Sequence, residues 1–190
     1  MAYSKIILCS SSPSRALLLK KFGIEFIQKS THYDEEQIKT TIAKDFVYIA
    51  SRGKLQSAIE AFGLETPLLC ADTVIVSSTG EILRKPKNVE DARRILSIQS
   101  GESISIISSL HYKTKVLEFS NISTTDYTFA SFKEEKLEKY LESGLWEGKA
   151  GGCMVEGFCK EYILKVEGLQ SNAMGLQVEK LLAWLTLSKK

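Results

Sequence analysis

The sequence predicts an α/β fold built on a mixed β-sheet. Three observations carry that expectation. Short apolar runs alternate along the chain with stretches whose apolar residues recur at helical spacing. Serine, glycine and proline punctuate the borders between them, all three prolines included. Two long strand-like segments, 103–112 and 115–129, follow one another across a short turn near Lys113 and Thr114. They should therefore pair antiparallel in a sheet whose other connections run through helices.

The elements read in order. Residues 5–9 form a buried strand. Ser12 caps a helix over 13–22, with Pro13 at its first position, where a missing N–H costs nothing, and Gly23 as its stop. Residues 24–28 resemble a second strand. A helix over 41–62 turns Phe46, Ile49, Ala50, Leu55, Ala58, Ile59 and Phe62 inward. A strand at 67–76 ends in the turn 77–80. A helix over 88–99, capped by Asn88, buries Val89, Ala92, Ile95 and Leu96. After the strand pair come a helix at 132–142, a strand at 161–166 and a last helix at 175–187, with Leu181, Leu182, Trp184 and Leu185 inward.

Composition narrows the class. With 190 residues, 44% hydrophobic and 25% charged, the chain suits a single globular domain over residues 1–190. A net charge of +2 gives no overall attraction for nucleic acid, and no basic-aromatic interleaving is visible. The apolar run 6–8 is too short for a signal h-region or a bilayer span, and no other run is long enough. The expectation is a cytoplasmic protein with no membrane or nucleic-acid partner. Cys9, Cys70, Cys153 and Cys159 show no CxxC spacing; three of them sit in apolar or glycine-rich runs, where free thiols pack as small hydrophobes, with a disulfide or zinc site as the alternative.

Four segments carry candidate chemistry. Ser10 to Arg15 joins a strand to a helix N-terminus, offering N–H groups, hydroxyls including Ser12 and a guanidinium to an anion; an ordinary capped turn reads the same way. Asp72 interrupts an apolar strand, where a charge needs a partner. It reads as a metal ligand or general base, or as an aspartate satisfied by local backbone. Arg84, Lys85 and Lys87 flank Pro86 in a positive corner that suits a polyphosphate or a solvated loop. Lys149 to Gly157 is glycine-rich, permitting close backbone approach to a ligand or simply turning, with Lys149 and Glu156 at its ends. Neither His32 nor His111 has a zinc pattern, and nucleophile-elbow, GxGxxG and P-loop motifs are absent.

In order, these segments resemble the Maf family of septum-formation-inhibitor-related nucleotide pyrophosphatases. The match runs through Leu8-Cys9-Ser10-Ser11-Ser12-Pro13-Ser14-Arg15, Phe22-Gly23-Ile24-Glu25-Phe26, Asp34-Glu35 and Lys54. It continues through Ala71-Asp72-Thr73-Val74, Gly80 to Pro86 and Lys149-Ala150-Gly151. The resemblance implies a strongly twisted mixed sheet flanked by helices, like the inosine-triphosphate pyrophosphatases, and a homodimer. It implies a metal-dependent hydrolase of acid anhydrides with a house-cleaning role in nucleotide metabolism. Such an enzyme cleaves the α–β phosphoanhydride of a nucleoside triphosphate to monophosphate and pyrophosphate with Mg or Mn. Asp72 then becomes the proton acceptor, also touching the metal, with Asp34 and Glu35 as metal-side carboxylates. Ser12, Arg15, Lys54 and Lys85 become phosphate ligands. A carboxylate beside such cations is expected to stay ionised at neutral pH.

The chain departs from the family pattern at Ser14, Ile104, Gly148, Gln177 and Glu156. Glutamine at the last position goes with pyrimidine triphosphates in the family, whereas an ionised glutamate only accepts hydrogen bonds. Glu156 therefore points to guanine-type or methylated purine triphosphates, or to broad specificity, over uridine and thymidine triphosphates. The same departures motivate an alternative, a catalytically weak nucleotide-binding regulator linked to cell division.

Overall fold

The computed structural model describes residues 5–187, so the ends of the expected 1–190 domain lie outside the described residues. The strands are β1 (Ile6–Cys9), β2 (Phe26–Lys29), β3 (Leu68–Val76), β4 (Ile82–Leu83), β5 (Ser103–Lys113), β6 (Glu118–Phe129) and β7 (Ile163–Glu167). The helices are α1 (Pro13–Lys21), α2 (Ala43–Phe62), α3 (Val89–Gln99), α4 (Glu134–Glu142), α5 (Gln170–Ala173) and α6 (Val178–Leu187), with 3-10 turns at Glu35–Gln37, Ala150–Gly152 and Phe158–Tyr162. The strand order is β2-β1-β3-β5-β6-β7, with β4 on β3. β1 runs parallel to both β2 and β3, whereas β3/β4 and β6/β7 are antiparallel. Ser103 bonds Thr128 and Ser105 bonds Asp126, so β5 and β6 run in opposite directions. The sheet is mixed, as the sequence predicts.

The chain forms two compact units. The first holds the described residues up to Thr73, Ser108–Ser123 and the chain from Gln170. Here β1 is buried on both faces, which is why it reads as an unbroken apolar run. Ile6 and Leu8 join Leu18 and Leu19 of α1, Leu69 of β3 and Leu181 and Leu185 of α6. Ile7 and Cys9 join Leu68, Cys70 and the α2 residues Leu55 and Ala58. The period of two along β1 thus serves a helix layer on each side.

The expected caps form. Ser12 accepts the Arg15 N–H at 3.4 Å, and Asn88 accepts that of Asp91 at 2.8 Å. Two inward assignments are corrected: Ile49 is 41% exposed and Val89 40%. Val89 opens α3, where the first turn leans to solvent. The last helix is also corrected, because Gly175 takes φ +96°, a left-handed conformation that breaks a helix. The chain therefore forms α5, a turn, and then α6.

The second unit holds Val74–Ile107 and Thr124–Leu169. The Lys149–Gly152 segment docks on α3, where Gln99 donates to the Gly151 carbonyl at 2.7 Å. Phe132, Phe158 and Tyr162 pack edge-on or tilted, and Tyr140 stacks on Phe158 at 4.5 Å. Cys153 and Cys159 form a disulfide, the alternative to the favoured reading of free thiols packed as small hydrophobes. The chain reverses through Gly157 and returns Cys159 to within 6.6 Å (Cα–Cα) of Cys153, inside the usual span for such a bond. Spacing alone does not reveal that reversal. Cys9 and Cys70 are the free, buried pair.

Candidate functional site

Asp72 lies in β3 between Ala71 and Thr73, with 5% of its surface exposed. A buried carboxylate requires a partner, and α2 supplies one. The Lys54 ammonium donates to Asp72 Oδ1 at 2.6 Å and stands 2.6 Å from Glu35 Oε1. Two carboxylates thus converge on one cation, whose side chain is itself only 18% exposed. Asp72 Oδ2 is buried without a hydrogen-bond partner.

Burial pushes the Asp72 carboxyl above the ordinary carboxylate range, Lys54 pulls it back, Glu35 raises it and Arg15 lowers it. The sequence expectation weighed only the cations; burial acts in the opposite direction and is the largest influence. Burial lowers the Arg15 pKa, against the attraction of Asp72 and Glu35.

Arg15 projects from the first turn of α1 and is half-buried. Its Nε donates to the Gly175 carbonyl at 2.8 Å, Nη1 to Ser10 Oγ at 3.0 Å and Nη2 to Thr73 Oγ1 at 3.1 Å. Three of its five N–H groups are thereby directed inward. Thr73 Oγ1 in turn meets Ser108 Oγ at 2.8 Å, and Ser108 donates to the Asn172 carbonyl at 3.0 Å. Sequence reasoning missed this brace of Thr73, Ser108 and Gly175. The one signal for it was Ser108 and Ser109 inside an apolar strand, since buried hydroxyls require partners.

The first unit therefore brings Arg15, Lys54, Glu35 and Asp72 into one neighbourhood. Ser12 caps α1, yet its hydroxyl keeps a proton to donate. Asp34 is exposed and spends its oxygens locally, accepting from the Glu36 N–H and the Gln37 amide at 3.0 Å each. Among the described residues no group of three His, Cys, Asp or Glu side chains gathers to hold a metal. The two carboxylates Glu35 and Asp72, with Asp72 Oδ2 buried and without a hydrogen-bond partner, nonetheless fit a hard cation. Such an ion commonly keeps several waters and takes one or two carboxylates plus substrate phosphates.

Lys85 and Glu156 belong to the second unit, and both are exposed. The two segments carrying them come together: the Gly151 N–H donates to the Arg84 carbonyl at 3.1 Å. The glycine pair serves this packing. A Cβ at Gly151 would stand 2.5 Å from Ile75 Cδ1, and one at Gly152 3.4 Å from Pro86. The close approach is thus to the protein's own side chains.

Arg15, Lys54, Glu35 and Asp72 thus form a cluster of opposite charges around the middle of β3 in a mixed α/β sheet. The Maf-like protein family matches residues 5–187. A nucleoside triphosphate pyrophosphatase of Nitratiruptor sp. is 52% identical over 178 residues, covering 93% of this chain and 96% of its own. One of Helicobacter pylori is 40% identical over 186 residues, covering 98% and 97%. A dITP/XTP pyrophosphatase structure from Mycobacterium abscessus is 14% identical, with a TM-score of 0.40 over 67% of this chain and 75% of its own. The chain belongs to the Maf-like protein family.

Proposed function

We propose that this protein hydrolyses the α–β phosphoanhydride of nucleoside triphosphates to the monophosphate and pyrophosphate, with Asp72 as general base. The observation that carries the reading is the state of Asp72. One oxygen is fixed by Lys54, and the other is buried and has no hydrogen-bond partner. A base needs both a fixed position and a free lone pair. The names of the relatives support the substrate class.

A triphosphate carries about four negative charges, so cleavage requires cations around it and a water aimed in line. Lys54 and the two remaining N–H groups of Arg15 supply positive donors, and Ser12 supplies a hydroxyl at a helix start. Lys85 is a further phosphate ligand in this reading. A divalent Mg or Mn ion, held by Glu35 and Asp72 with Asp34 nearby in sequence, supplies charge neutralisation when bound. Glu156 reads the base and favours N–H-rich edges of the guanine type. The protein works as a cytoplasmic homodimer.

The test is pyrophosphate release from common and methylated nucleoside triphosphates, with Mg or Mn and after chelation. We expect metal-dependent release, with guanine-type substrates ahead of uridine and thymidine triphosphates. Tight nucleotide binding without release from any of them would overturn the catalytic reading in favour of a regulatory binder.

A further inference from the structure

Gly53 sits inside α2, immediately before Lys54. Glycine is a poor choice in a helix interior, where alanine is favoured, so its presence there calls for a local reason. A Cβ built at Gly53 would lie 2.1 Å from Tyr33 Cε2, 2.2 Å from Cζ and 2.6 Å from Cδ2. No real side chain tolerates such contacts. The Tyr33 ring therefore lies directly against the bare helix backbone, in the space any other residue would fill.

The next residues of the same loop carry the site. Tyr33 precedes Asp34, which caps the short turn Glu35–Gln37. Glu35 reaches Lys54 at 2.6 Å, and Lys54 reaches Asp72 at the same distance. Adjacent residues of α2 thus hold two residues of one loop, Gly53 the ring of Tyr33 and Lys54 the carboxylate of Glu35. The ion pair alone is a weak tether, because the Glu35 side chain is 40% exposed and exposed pairs are screened. A ring seated on a helix is a short-range steric fit that salt does not screen.

We propose that Gly53 and Tyr33 are positioning residues: the missing side chain at Gly53 seats the Tyr33 ring on α2, and that seat places Glu35 beside Lys54 and Asp72. The consequence for catalysis rests on the pyrophosphatase reading; the seat itself does not. Tyr33 acts through its ring, so its hydroxyl is dispensable.

The experiment is a double-mutant cycle in the full-length chain, read by thermal melting and by metal titration of pyrophosphate release. Gly53→Ala should lower the melting temperature in the wild-type background, because the new methyl evicts the ring. In the Tyr33→Ala background the same substitution should raise it, because only helix preference then remains. That reversal of sign depends on no assumption about activity. In the kinetic arm, Gly53→Ala and Tyr33→Ala should each raise the Mg concentration for half-maximal rate several-fold. The double variant should be no worse than Tyr33→Ala, and Tyr33→Phe should match wild type. A Gly53→Ala protein that melts higher than wild type overturns the seat. The predicted reversal in melting with unchanged metal dependence overturns the positioning role while leaving the seat. Absence of pyrophosphate release from wild type counts against the activity, and the melting cycle still decides the seat.

Discussion

The two units treat charge in opposite ways. In the first, Asp72 and Lys54 are buried or nearly so, and each holds a named partner at 2.6 Å. In the second, Lys85 and Glu156 are exposed, and the glycine pair Gly151 and Gly152 serves internal packing. Buried charges are fixed in advance and costly to misplace; exposed ones are adjustable and cheap to change. The difference teaches that substitutions in the first unit should alter rate, pH dependence and stability together. Those in the second should alter ligand handling with the fold untouched.

The largest expected effect tests the first half of that contrast. Asp72→Asn keeps the shape and removes the proposed base, so turnover should fall by roughly 100-fold or more. Stability should move the other way. A carboxyl whose pKa is raised by folding opposes the fold as pH climbs past its unfolded value. The variant should therefore melt no lower than wild type at neutral pH. A clear drop in melting temperature would mean that the Asp72 charge supports the fold.

The second effect is electrostatic. Lys54 lowers the Asp72 pKa and Glu35 raises it. The acid limb of kcat/KM, which reports an ionised base, should lie above the ordinary carboxylate range. Lys54→Ala should move it to higher pH and Glu35→Gln to lower pH. Shifts of the same sign in both variants would break the assignment of that limb to Asp72.

A third pair sets the units against one another. Arg15→Ala strips donors from the buried Gly175 carbonyl, Ser10 and Thr73. It should cost about 1–3 kcal/mol of stability, or roughly 2–4 °C of Tm per kcal/mol. Lys85→Ala should leave stability within about 0.5 kcal/mol and weaken triphosphate binding by about 1.5–3 kcal/mol. Equal melting shifts in the two variants would erase the contrast. The smallest effect is at Glu156, where Glu156→Gln should narrow the gap between guanine-type and uridine or thymidine triphosphates in steady-state kinetics. An unchanged ranking would remove Glu156 from base reading.

Much of this was legible in the chain. Ser12-Pro13 announces a helix start by local chemistry, and Asp72 announces itself as a charge inside an apolar strand. What escaped depends on distant partners. Nothing near Gly175 signals that its carbonyl receives Arg15 or that its positive φ divides the last helix. Glu35 and Lys54 are joined only through tertiary packing. The disulfide depends on a reversal through Gly157 that spacing does not encode. The upward push on the Asp72 pKa was missed because burial, unlike neighbouring charge, is not written locally.

In the proposed function the Asp72 cluster cleaves between the α and β phosphates. Its most direct test is to separate the products formed from guanosine triphosphate and Mg by purified wild-type protein and by Asp72→Asn. The account predicts guanosine monophosphate and pyrophosphate in equal amounts from wild type, and next to none from the variant. Guanosine diphosphate with inorganic phosphate, or undiminished product from the variant, would contradict it.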